Sequence, residues 1–128
     1  MQFFLEQAQF GVLTLLGGDM SLYLGRAKYS PEGLKGLLAK PEDRTAAARA
    51  LYEATGAKLL HLWFSASTGE AISVFEATST AGMSVGTAMM ASGAFTDGSV
   101  EELMTGTQQM EVMKGAANIV SRYRAPGK

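Results

Sequence analysis

Two alternating runs constrain this chain more than any other feature. Residues 57–65 (AKLLHLWFS) and 70–77 (EAISVFEA) are apolar and aromatic, and only Ala66-Ser67-Thr68-Gly69 lies between them. A short polar loop ending in glycine between two such runs closes an antiparallel hairpin. Side chains alternate between the faces of a pleated strand, so the centre of the hairpin decides which residues share a face. A hairpin centred between Ser67 and Thr68 sets Leu59 opposite Glu76, His61 opposite Val74 and Trp63 opposite Ile72, all on one face. The other face carries Leu60, Leu62, Phe64, Ala71, Ser73, Phe75 and Ala77. That second set is almost wholly apolar and is expected to meet the helices. The first is mixed, and Leu59, Trp63, Ile72 and Val74 make a patch larger than a monomer leaves wet. A second copy of the sheet is expected to cover it, which makes the chain a homodimer or higher homo-oligomer.

The flanking segments supply the remaining elements. Residues 21–29 (SLYLGRAKY) alternate as a strand. Ser30-Pro31-Glu32 then starts a helix, with serine as N-cap, proline in the first turn and a carboxylate near the positive end of the helix dipole. Leu34, Leu37 and Leu38 form its apolar stripe. Pro41 breaks it, Pro41-Glu42-Asp43 restarts it, and Ala47, Ala50, Leu51 and Ala54 recur at helical spacing up to Gly56. Beyond the hairpin, residues 78–94 read as a helix closing at Gly93, 99–107 as a fourth strand, and 108–123 as a helix with Met110, Met113, Ala117 and Val120 on one side. The order β-α-β-β-α-β-α is the ferredoxin-like α+β pattern, an antiparallel four-stranded sheet with helices on one face. Residues 20–128 form that single domain, and residues 1–19 are an extension. The extension reads as a hairpin around Gly17-Gly18-Asp19 or as a short helix over 2–10; Met20 is an alternative start, and docking on a neighbour is the expected use of the extension.

Charge excludes several functions. The 128 residues hold 11 Lys+Arg against 12 Asp+Glu, and no cation occurs between Lys58 and Lys114, whereas Glu70, Glu76, Asp97, Glu101, Glu102 and Glu111 do. A phosphate backbone needs clustered cations, so nucleic acid is not an expected partner. The apolar run at 11–16 is too short to span a bilayer, which takes about 20 residues, and its flanks carry no basic n-region; no membrane partner is expected, and the location is read as cytoplasmic. With no cysteine and one histidine, thiol catalysis and a multi-histidine metal site are out of reach of one subunit. No metal and no cofactor are expected.

The segment YSPEGLKGLLAKPEDRTAAARALYEATGAKL (29–59) and the later ASGAF (91–95) resemble the GYD-domain family, small bacterial proteins of the dimeric α/β-barrel superfamily. The likeness extends over residues 21–122. SPEG, PEDR and ASGAF carry it most specifically. The Gly-Tyr-Asp triplet that names the family falls where this chain has Thr68-Gly69-Glu70, so only its acidic character survives. Glu76 matches the carboxylate that commonly ends the next strand in the family. The resemblance implies two ferredoxin-like subunits paired sheet to sheet, and it implies no particular activity.

Candidate chemistry is sparse. His61 and Glu76 share the mixed face diagonally; a carboxylate beside an imidazole raises its pKa and orients a general base. Trp63 with Tyr23 or Tyr29 is a candidate aromatic wall for a ligand, against the plainer reading of core aromatics. Gly82-Met83-Ser84-Val85-Gly86 reads as close helix–sheet packing. The methionines at 83, 89, 90, 104, 110 and 113 read as adaptable core filler rather than metal ligands. Arg44, Arg49, Glu42, Asp43 and Glu53 read as a solvated helix face. These residues support a homodimeric module for binding a small apolar ligand between sheet and helices, or for assembly. The alternative is a cofactor-independent oxygenase or isomerase acting through His61 and Glu76 on an aromatic or polyketide-like substrate.

Overall fold

The alternating segments become strands and the capped segments helices over residues 19–128, the part of the chain that the computed structural model describes. The expectation for the N-terminal extension lies outside the described residues. In chain order the elements are β1 (Ser21–Tyr29), α1 (Pro31–Ala39), α2 (Thr45–Ala54), β2 (Lys58–Phe64), β3 (Ala71–Ala77), α3 (Ser79–Ala91), β4 (Phe95–Leu103) and α4 (Gly106–Ile119), followed by a 3-10 turn at Val120–Arg122. The sheet is four-stranded with order β2-β3-β1-β4, and every neighbouring pair is antiparallel. This is the ferredoxin-like α+β arrangement. None of the described helices is long and apolar enough to cross a membrane.

The hairpin register holds over its outer half. His61 pairs with Val74, Trp63 with Ile72 and Phe64 with Ala71. It shifts between Leu59 and His61, where a bulge sets Leu59 opposite Phe75 and Lys58 opposite Glu76. The expected place of Leu59 on the mixed face is therefore corrected: an extra residue moves it to the other side of the pleat, where it is buried in the core. Phe75, Leu59, Ala77, Tyr52, Ala57, Ala81 and Val85 form that core, between the sheet and α2 and α3. Helix α3 approaches closely because it presents Gly82 to the rings of Phe75 and Tyr23, where an added Cβ would stand 3.7 Å from each ring.

Two element boundaries differ from the sequence expectation. Strand β4 starts at Phe95, four residues before 99, because β1 pairs with it from Tyr29↔Phe95 through Leu22↔Leu103. Helix α4 accordingly begins sooner, at a capping box in which Gln108 N–H donates to Thr105 Oγ1 (3.1 Å) and Thr105 N–H donates to Gln108 Oε1 (2.9 Å). The methionine reading also needs correction. Met89 packs against the core, but Met83, Met90, Met104, Met110 and Met113 are exposed in the single chain. Every residue from Met104 to Lys128 is exposed, so α4 shows its apolar Met110, Met113 and Ala117 to solvent, as the following turn does Val120.

One junction positions everything that follows. Ser30 caps α1 by accepting from Gly33 N–H (3.0 Å), donates its hydroxyl to the Gly93 carbonyl (2.6 Å), and donates its backbone N–H to the Ala94 carbonyl (2.8 Å). The first turn of α1 thus lies directly on the α3–β4 turn, and a Cβ at Gly33 would collide with the Ala94 carbonyl oxygen. Since that neighbour is backbone, it cannot swing aside. Gly33→Ala is expected to cost about 1–3 kcal/mol, the range for overpacking, read as a lower urea midpoint. Gly36→Ala, with open space around its Cβ, is expected to be neutral or slightly stabilising as a helix-interior glycine replacement.

Candidate functional site

The helix-facing side of the sheet is paved with small residues where α2 and α3 diverge. Gly25 and Ala27 on β1, Ala71 and Ser73 on β3 and Gly98 on β4 floor an inner chamber of about 620 Å³, roofed by Val85, Gly86, Met89 and Met90 of α3. An outer chamber of about 590 Å³ lies between α1, α2 and the end of α3. The two chambers share Tyr52, Leu62, Ala71 and Met89. Each is within the roughly 300–1,000 Å³ of small-molecule sites.

Tyr52 commands the junction. Its side chain comes off α2, stands edge-on to Phe75 with ring centroids 4.9 Å apart, and is only 3% exposed. Its hydroxyl donates to Ser73 Oγ at 2.8 Å and lies 3.9 Å from the Met89 sulfur. Gly25 makes that bond fit: it sits opposite Ser73 in the sheet, and a Cβ there would come within 2.7 Å of Ser73 Oγ. Burial pushes the Tyr52 phenol above its ordinary pKa, with the Ser73 hydrogen bond pulling the other way. The group is a neutral phenol at physiological pH. No buried side-chain oxygen or nitrogen among the described residues is left unbonded, so an apolar guest at the junction would strand no polar atom.

Neither Tyr52 nor Ser73 stood out in the sequence. Each carries a weak signal: a tyrosine one turn beyond Ala48 in an alanine-rich helix, and one hydroxyl in the apolar row Ala71, Ser73, Phe75, Ala77. A buried hydroxyl needs a partner, and these two answer each other.

The residues singled out from the sequence divide between the two faces of the sheet. Tyr23 stacks on Phe75 at 5.6 Å and packs against the core. Tyr29 lines the outer chamber, stacked on Phe95 at 4.8 Å and near Phe64 at 6.4 Å. Burial raises the Tyr29 phenol pKa, and the positive charge of Arg44 opposes that shift. Trp63 is on the opposite face, 57% exposed and stacked on His61 at 4.5 Å, so the structure does not bring it together with either tyrosine. His61 and Glu76 share the open face with Trp63; His61 is opposite Val74, Glu76 opposite Lys58, and among the described residues no hydrogen bond or ion pair joins the two.

Segments far apart in sequence converge on the outer chamber. Gly33 from SPEG and Tyr29 just before it, Glu42 and Arg44 from PEDR, and Ala94 and Phe95 from ASGAF all line it. They are the stretches on which the family likeness rests. The sequence model of the GYD domain matches residues 23–114. The chain belongs to the GYD family. That family is part of the dimeric α/β-barrel superfamily, whose ferredoxin-like subunit is the fold seen here. No curated protein and no solved structure matches the chain. In this GYD domain the place of the naming triplet is a self-contained turn: Gly69 takes φ +76°, and the Thr68 hydroxyl donates to the Glu70 carboxylate at 2.9 Å. Glu70 therefore holds the hairpin loop, away from both chambers.

Proposed function

We propose that this GYD domain binds a small apolar molecule in the two-chambered cleft between its sheet and helices, and that it does so as a homodimer. The observation that carries the reading is the convergence of SPEG, PEDR and ASGAF on one chamber, continuous through Tyr52 with a second. A chain selected only to fold would fill the floor at Ala27 and Ala71 with larger side chains, since empty interior volume forfeits dispersion contacts. His61 and Glu76 belong to the other surface and do not enter this reading.

The homodimer rests on that other surface. Its central strands carry Leu22, Leu24, Ile72 and Val74, with Trp63 and His61 beside them on β2. The rim charges complement each other: Arg26 and Lys28 on β1 and Lys58 on β2 against Asp97 and Glu101 on β4 and Glu76 on β3. A surface with an apolar centre and both signs at its edge can pair with itself about a two-fold axis. Trp63 is the one tryptophan of the chain, and it reports this contact directly. Its emission is expected to be blue-shifted at micromolar concentration and to move to the red on dilution, in step with a falling molar mass by light scattering. Emission and mass that do not change together would remove the sheet face from the contact.

A further inference from the structure

We infer that the ligand is an amphipathic carboxylate, seated with its hydrocarbon chain through the Tyr52 junction into the inner chamber and its carboxylate in the outer one. This rests on the ligand-binding reading above and adds the chemistry of the guest.

The two chambers differ in kind. The inner one is walled mostly by glycine, alanine, valine and methionine residues; Tyr52 and Ser73 are bonded to each other, and the Thr87 hydroxyl donates to the Met83 carbonyl. The one cationic residue in its wall, Arg26, alternates with Gly25 and Ala27 on β1 and so directs its side chain to the open face. A charged head group has no counter-ion there, and burying one unpaired is prohibitive. Methionine thioethers are soft and adaptable, which suits a flexible chain better than a rigid polar ring.

The outer chamber carries charge. Lys40, Arg44 and Glu42 all line it. Arg44 and Glu42 neutralise one another at 2.6 Å, and no described carboxylate pairs with the Lys40 ammonium. One positive charge therefore stands over in the outer chamber of an otherwise apolar cleft. Tyr29 and Arg44 line this same chamber, and the positive charge of Arg44 acts on the Tyr29 phenol. A single carboxylate offsets the one surplus positive charge of this chamber without needing the several cations that a phosphate ester recruits.

The test uses the full chain and three ten-carbon probes below their micellar concentrations: decanoate, decanol and decyltrimethylammonium, each measured by calorimetry. Decanoate is expected to bind at least tenfold tighter than decanol, with the cation weakest. Affinity is expected to rise about fourfold per methylene from octanoate to decanoate, the increment for burying a CH₂. Lys40→Glu, on an exposed helix end, is expected to weaken decanoate at least tenfold and leave decanol unchanged. Gly86→Leu, placed to fill the inner chamber, is expected to weaken both; Ala71→Leu serves if that variant does not fold. Equal binding of decanoate and decanol, unmoved by Lys40→Glu, overturns the carboxylate assignment while the cleft remains a binding site. Failure of all three probes to bind overturns the binding reading itself.

Discussion

Leu24→Lys is expected to yield a folded monomer. Leu24 lies on β1, one of the two central strands, with Val74 on one side and Glu101 on the other. In a single chain the new ammonium stands on an open face opposite Glu101, an opposite-charge cross-strand pair that is neutral to slightly stabilising. Across a sheet-to-sheet contact the same residue lies near the middle of the interface. Two lysines are then desolvated in one dimer, at a cost of several kcal/mol that a rim carboxylate does not recover. The dissociation constant is expected to rise at least a hundredfold, so that light scattering at micromolar concentration reads the monomer mass while the circular dichroism spectrum is unchanged. A Leu24→Lys chain that stays dimeric would sink the face-to-face arrangement. The apolar side of α4, exposed along its length, would then be the surface to mutate next.

The two faces of the hairpin were largely legible in the sequence, because a period of two is a strong signal when one face is greasy and the loop is short. Ala71, Ser73, Phe75 and Ala77 alternate with Ile72, Val74 and Glu76 in burial as they do in the sequence. The bulge at Leu59–Leu60 was not legible. It inserts one leucine beside another, so the apolar pattern looks the same with or without it, and only the pairing partner records the change. The start of β4 was hidden for a different reason. Asp97 and Gly98 have turn chemistry and poor strand propensity; they are extended because β1 offers Lys28 opposite Asp97 and Ala27 opposite Gly98. Tertiary pairing overrode local preference.

The site was less legible than the fold. Tyr29 was singled out and does line the outer chamber, yet Trp63 and Tyr23 fall on different sides of the sheet. Which side a residue of β2 shares with a residue of β1 depends on strand order and register, and neither is written in either strand alone. Tyr52 and Ser73 meet across 21 positions of sequence. Each looks ordinary until a helix is laid over a strand. The same holds for SPEG and ASGAF, which read as two independent likenesses and prove to be the two halves of one clasp, through Ser30, Gly93 and Ala94.

Phe75→Ala is expected to be the most damaging core substitution, and its size discriminates between two pictures of the interior. Phe75 is 0% exposed and sits where three elements converge: opposite Leu59 on β2 and Tyr23 on β1, and under Tyr52 from α2. Removing a buried phenyl ring costs about 3–5 kcal/mol, the upper part when the hole stays closed and empty. Here the ring also lines the inner chamber, so the space it vacates joins an existing cleft. The neighbours cannot collapse into it without closing that cleft, and Tyr52 loses its edge-to-face partner, an interaction of about 0.5–1.5 kcal/mol. The loss should fall within that range and lower the melting temperature on the order of 10–20 °C. Tyr52→Phe keeps the ring and deletes only the bond to Ser73, so about 1 kcal/mol is expected. A urea titration of both variants checks the pair. If Phe75→Ala cost no more than Tyr52→Phe, the sheet and helices would not be joined through this ring, and the cleft would have no rigid wall on that side. A saturating decanoate concentration should restore part of the Tyr52→Phe loss, because a guest that binds only the folded chain stabilises it. It should restore less for Phe75→Ala, whose inner chamber no longer has its shape.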